Sequence, residues 1–162
     1  MGARQRRPGR RGVLERHTAQ SGAVVMGRRT FDTVDRGWSA DRGYGADRDA
    51  RPPFFVVTSR EPASWRLAAS HDFTFVLDGP AAAIERARAA AGERDVFVMG
   101  GGVLIGSCLR DGLLDELRLH LAPELLGGGT PLFDGAGRHR LVQTTVEVSP
   151  VCTHLTYRVA RA

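Results

Sequence analysis

Apolar positions along this chain fall into short runs separated by helical patterns. Ala23 to Met26, Phe54 to Thr58 (FFVVT), Phe73 to Leu77 (FTFVL) and Val96 to Met99 are β-prone runs bounded by turn residues. Such runs suit strands buried on both faces of a parallel sheet. Glu116 to Leu121 (ELRLHL) instead alternates strictly, placing Leu117, Leu119 and Leu121 on one face. Leu141 to Val148 and Val151 to Val159 read as two final strands joined at Ser149-Pro150, an antiparallel hairpin. Between the early strands the period changes to helical. Arg28 to Asp35 sets Phe31 and Val34 on one face. Pro80, at the favoured first position, opens a helix that buries Ile84, Ala87 and Ala91 and stops at Gly92. Leu104, Ile105, Cys108 and Leu109 recur on one face until Gly112. Val13 to Gln20 reads as the end of a helix with Gly22 near its C-cap. Strands alternating with helices, then a hairpin, predict an α/β sheet, mostly parallel with an antiparallel end.

Composition changes this picture at the N-terminus. Residues 1–12 (MGARQRRPGRRG) are polar, charged and broken by Pro8 and glycines, so they are expected to form a disordered basic tail. Residues 13–162 are one domain. The formal charge of +5 is carried by residues 1–16, with six arginines against Glu15; in the rest of the chain arginines and acids balance. A neutral body argues against a nucleic-acid-binding domain. All 23 basic residues are arginine. A Walker A lysine and a Schiff-base lysine are therefore excluded, and any phosphate must be held by arginines, hydroxyls and backbone N–H groups. Cys108 and Cys152 form no disulfide framework. No apolar run approaches the roughly 20 residues of a membrane span, and the arginine-rich start lacks a signal-peptide core, so a cytoplasmic protein without membrane contact is expected.

Three strand ends carry candidate chemistry. Asp95 to Gly106 (DVFVMGGGVLIG) is a strand that breaks into Gly100, Gly101 and Gly102 and feeds a helix. Bare backbone and the first-turn N–H groups there attract anions; close helix–strand packing is the competing reading. The spacing is not a dinucleotide fingerprint, since Gly106 comes too late and no ribose-binding acid follows. At Gly27-Arg28-Arg29-Thr30 a second helix begins with guanidinium forks and a hydroxyl, a set suited to a diphosphate. A plain β–α turn with solvated arginines is the alternative. Thr58-Ser59-Arg60 closes a third strand with groups that suit a 2′-phosphate, or form an ordinary turn. Together, two phosphate positions and a 2′-phosphate position describe NADPH better than a mononucleotide. Elsewhere, Trp38 and Tyr44 lie on the long loop from Gly37 to Pro53 and either flank a flat ring or pack. His120 points away from the leucine face of its strand, and Asp32 and Asp35 are expected to be solvated.

MGRRTFD, VVTSREP, VMGGGVLIGSCL and LRLHLAPELLGGGTPLF resemble the dihydrofolate reductase-like superfamily. The last two resemble especially the branch built like the RibD C-terminal domain, the reductase domain of bifunctional riboflavin-biosynthesis proteins. The resemblance runs from about Leu14 to Val159. It implies a three-layer α/β fold with a mixed, mostly parallel sheet and a C-terminal antiparallel hairpin. It also implies hydride transfer from NADPH to a C=N or C=O bond of a pterin-like or aminopyrimidine small molecule of the 5-amino-6-(5-phosphoribosylamino)uracil type, by a homodimer. On this resemblance Gly27, Arg28, Arg29 and Thr30 would hold the diphosphate and Thr58, Ser59 and Arg60 the 2′-phosphate. Gly100, Gly101 and Gly102, with Leu104, would pack against diphosphate and nicotinamide ribose, often with a cis peptide between the first two glycines. Trp38 and His120 would border the substrate. No catalytic acid is identifiable, and water can supply the proton.

One departure stands out. Family members begin with a hydrophobic strand lying between the strand that ends at Met99 and the one at Glu116 to Leu121; residues 1–12 cannot supply it. The sequence thus predicts a gap in the middle of the sheet. A start placed too far downstream, a strand lent by a partner, or an inactive NADP-binding paralogue would each account for it. Dihydrofolate reductase proper fits less well: the acidic pterin anchor is missing, and the triple glycine before Thr130 to Phe133 favours the riboflavin branch.

Overall fold

The computed structural model describes residues 12, 16, 18–44 and 51–161. The basic tail (1–11) and the tip of the long loop (45–50) lie outside the described residues. Residues 18–20 are helical and run directly into β1 (Ser21–Gly27). There follow α1 (Arg28–Gly37), β2 (Phe54–Val57), β3 (Phe73–Val76), α2 (Gly79–Ala91), β4 (Asp95–Met99), α3 (Gly102–Arg110), β5 (Glu116–Leu121), β6 (Leu141–Ser149) and β7 (Cys152–Val159). The first four strands form a parallel sheet in the order β3-β2-β1-β4, and the last three an antiparallel sheet in the order β5-β7-β6.

Alternation along β1 divides the core. Val24 and Met26, both fully buried, point to the face covered by α1, where Phe31, Val34, Phe54 and Val56 join them. Ala23 and Val25 point to the opposite face, covered by α2 and α3 through Ile84, Ala87, Leu104 and Cys108. The result is the expected three-layer α/β architecture with a terminal hairpin. Burial on this second face pushes the Cys108 thiol up to about 11, so it stays protonated and serves as packing.

Two expectations are corrected. Gly22 is no helix cap: it lies inside β1, where a Cβ would meet the Ala91 carbonyl oxygen at 2.7 Å and Ala91 Cα at 2.8 Å. The end of α2 crosses the strand too closely for a side chain. Asp35 is not a solvated acid. Its carboxylate accepts the backbone N–H groups of Arg66 at 3.1 Å and Leu67 at 3.0 Å, fastening the 66–70 turn to α1. Asp35→Ala strands both donors, so it should cost about 1.5–3 kcal/mol. A urea unfolding midpoint that does not move would contradict that role.

His71 is buried against Trp38, Phe54 and Phe73. Desolvation, then the Arg51 and Arg66 guanidiniums, hold its pKa below the usual 6.5. The unfolded chain therefore binds a proton that the fold refuses. Stability is complete above pH 6.5, falls as the pH drops below that value, and levels off below the folded-state pKa. His71→Phe should flatten the pH dependence of Tm in that window; an unchanged slope would refute the assignment.

Candidate functional site

The parallel register brings three strand ends together. Gly27 lies beside Val57, and Met26 lies beside both Val56 and Met99. The junctions following β1, β2 and β4 therefore open on the same edge of the sheet, side by side.

At the first junction Gly27 is the N-cap of α1, with no side-chain cap and no acid in the first turn. Its N–H groups are offered without a competing carboxylate, and Arg29 is exposed beside them. Arg28 has a different task. Its Nε donates to Asp32 Oδ1 at 2.8 Å and its Nη1 to the Arg60 carbonyl at 2.9 Å, tying the first junction to the second. Asp32 is thus paired rather than solvated.

At the junction after β2, the Thr58 hydroxyl donates to the Arg60 carbonyl at 2.9 Å and accepts from the Arg60 N–H at 3.3 Å. This closes a tight turn that leaves Ser59 and Arg60 exposed. At the junction after β4, Gly100 and Gly101 take φ values of 43° and 84°, a region open to glycine at little cost. Every described peptide is trans, so the expected cis bond at Gly100–Gly101 is not found; the two positive φ angles make the turn instead. Gly101 caps α3, again with no side-chain cap. A Cβ on Gly101 would sit 3.3 Å from Thr30 Oγ1, which places the first and third junctions in contact. Gly102 is glycine for packing: a Cβ would meet the Leu132 and Pro131 carbonyl oxygens at 2.7 and 2.8 Å. Leu104 is buried beneath Gly27.

A groove of about 1500 Å³ opens beside Gly100, between β4 and β5. Val96, Phe97 and Val98 form one wall and Leu117, Leu119 and His120 the other. Tyr44 stacks on Phe97 with ring centroids 5.2 Å apart, and Trp38 meets Phe54 edge-on at 5.7 Å. Both aromatics line the groove while packed on the core. His120 is paired with a residue that sequence reasoning missed. Its Nδ1 lies 2.7 Å from Nδ1 of His154, directly opposite on β7, so one ring donates and the other accepts. His154 is buried. The alternation of β7 could have located it, since His154 falls on the same face as His120 once the two strands pair.

Among the described residues no group of three or more histidines, cysteines or acids could hold a metal, and no helix is long and apolar enough to cross a membrane.

The family model of the RibD C-terminal domain matches residues 2–156. No curated protein matches the chain. Solved structures similar to it include a protein from Shewanella sp. PV-4 assigned to riboflavin biosynthesis, with 24% identity and a TM-score of 0.67, covering 99% of this chain and 84% of that one. Another is the diaminohydroxyphosphoribosylaminopyrimidine deaminase/5-amino-6-(5-phosphoribosylamino)uracil reductase of Thermotoga maritima, with 15% identity and a TM-score of 0.69, covering 93% of this chain and 48% of that one. A third is a riboflavin biosynthesis reductase of Saccharomyces cerevisiae, with 15% identity and a TM-score of 0.58, covering 95% and 83%.

Proposed function

The chain belongs to the RibD C-terminal domain family, and on that premise we propose that it is an NADPH-dependent reductase acting on an aminopyrimidine of the 5-amino-6-(5-phosphoribosylamino)uracil type. The observation that carries this reading is the meeting of three anion-suited junctions on one sheet edge, tied by the Arg28 bond to the Arg60 carbonyl.

The residues fit NADPH. Two uncapped helix N-termini and the bare backbone of Gly100 and Gly101 form a cradle that a Cβ would narrow. Arg29 and Thr30 would bind the diphosphate, with Arg28 holding the neighbouring turn in place. Thr58 would shape the turn on which Ser59 and Arg60 meet the 2′-phosphate. When bound, the cofactor supplies a hydride. The protein's part is to orient it and to keep water from the reacting face, which Leu104 and the apolar walls of the groove favour. Trp38 and His120 border that groove, and the His120–His154 pair can hold a proton at an imidazole nitrogen beside it. The protein would work in the cytoplasm as a homodimer. The exposed apolar side chains of β6, Val142, Val146 and Val148 among them, offer a surface for such a dimer to cover.

The test is a titration with NADPH and NADH followed by turnover of the pyrimidine, read as loss of the reduced cofactor. Preferential NADPH binding with turnover is expected, and no NADPH binding at millimolar concentration would sink the reading. A second reading, an NADP-binding protein without catalysis, is favoured by the open edge of β4 beside Gly100. Tight NADPH binding without turnover would select it.

A further inference from the structure

Arg28 and Asp32 form an ion pair that helix stability does not call for. Gly27 caps α1, so Arg28 is its first residue and Asp32 its fifth. A cation at a helix N-terminus opposes the dipole, and at this spacing the acid serves the helix better when it comes first. Both side chains are part-exposed, which keeps the pair's own contribution to stability small. The pair is nevertheless well formed. Nε of Arg28 donates to Asp32 Oδ1 at 2.8 Å while Nη1 donates to the Arg60 carbonyl at 2.9 Å.

That second bond crosses from α1 to the turn after β2. The same carbonyl accepts from the Thr58 hydroxyl at 2.9 Å. Two donors thus occupy both lone pairs of one oxygen. The backbone of the turn is held from two directions, whereas Ser59 and Arg60 stay exposed. An arginine side chain gives up much rotamer freedom when it is held in one place. Asp32 fixes Nε, and the planarity of the guanidinium then aims Nη1 at the carbonyl.

We infer that Asp32 is a positioning residue for cofactor selectivity: acting through Arg28, it holds the Arg60 turn at a set distance from the N-terminus of α1. The inference rests on the NADPH reading and adds to it a residue that touches no part of the cofactor. The brace fixes the spacing between an anion at the first-turn N–H groups of α1 and one at Ser59 and Arg60. A ligand carrying both a diphosphate and a 2′-phosphate gains from that spacing. A ligand with the diphosphate alone gains nothing, so Asp32 contributes to discrimination and not to binding in general. Asp32 also neutralises Arg28, which would otherwise attract either cofactor through the diphosphate that both carry.

The experiment is a direct binding titration of the full chain with NADPH and with NADH, read as the ratio of the two Kd values, with Tm recorded for every variant. Asp32→Ala should cut the preference for NADPH roughly three- to tenfold, with the Kd for NADH changed less than about twofold. Its Tm should move by no more than about 2 °C, because an exposed pair contributes little to stability. Asp32→Asn, which keeps an acceptor for Nε, should retain most of the preference. Arg28→Ala should lose at least as much preference as Asp32→Ala. The double variant should lose no more than Arg28→Ala alone, since Asp32 acts only through Arg28. An unchanged ratio in Asp32→Ala, a gain in NADPH affinity, additive losses in the double variant, or equal losses for both cofactors would each overturn the proposal. A wild-type preference that Arg60→Ala abolishes and Asp32→Ala leaves intact overturns this inference alone. A wild type with no preference overturns the 2′-phosphate reading along with it.

Discussion

Arg60→Ala should abolish the preference for NADPH over NADH, raising the Kd for NADPH roughly ten- to hundredfold and leaving that for NADH nearly unchanged. The size follows from the loss of charge-assisted hydrogen bonds to a phosphate, about 1.5–3 kcal/mol. The turn that carries Arg60 does not depend on its side chain. The Arg60 carbonyl accepts from Arg28 and from the Thr58 hydroxyl, and its N–H donates to Thr58. Truncation therefore removes the guanidinium and leaves the scaffold. Because Arg60 is exposed, the effect should shrink as salt rises. Arg60→Lys should keep part of the preference, having charge without the planar fork. Equal affinity of the wild type for both cofactors would refute the 2′-phosphate assignment. An equal loss for both in the variant would mean that Arg60 supports the site as a whole.

Residues differ in how much of their role the sequence reveals. β1 to β4 were legible because their short apolar runs are bounded by glycine and proline, and α1 because Phe31 and Val34 recur at helical spacing. The adjacency of Gly27–Thr30, Thr58–Arg60 and Gly100–Gly102 depends on strand order, which local pattern does not encode; the family resemblance supplied it. The role of Asp35 was not legible. A carboxylate late in an amphipathic helix looks solvated until the 66–70 turn, distant in sequence, lays its N–H groups against it. Gly22 was misread for a related reason: a glycine after a helix suggests a cap, and only the crossing of α2 shows that close approach is what requires it. The expectation of a gap between β4 and β5 rested on residues 1–12, whose arginines and Pro8 do not suit a buried sheet. That the gap would open as a groove lined by both edges could be known only from the fold.

Phe31→Ala should destabilise the protein by about 3–5 kcal/mol, the usual cost of deleting a buried phenylalanine ring. For a chain of this size that lowers Tm by roughly 6–20 °C. Phe31 is 2% exposed and meets Phe73 and Phe75 edge-on, each with ring centroids 5.1 Å away. It and Val34 are the only buried residues of α1. The helix that presents Arg28, Arg29 and Thr30 is thus held to the sheet largely through one ring. The consequence reaches the cofactor site. NADPH should raise the Tm of the wild type by mass action, and should raise that of Phe31→Ala by less, because part of the binding energy must re-seat α1. Phe31→Leu, nearer in volume, should cost less than the alanine change, about 1.5 kcal/mol, and keep the cofactor response. An alanine variant with wild-type Tm would show that α1 is anchored elsewhere. One with low Tm but an undiminished NADPH shift would separate the packing of α1 from cofactor binding and remove Arg29 and Thr30 from the diphosphate site.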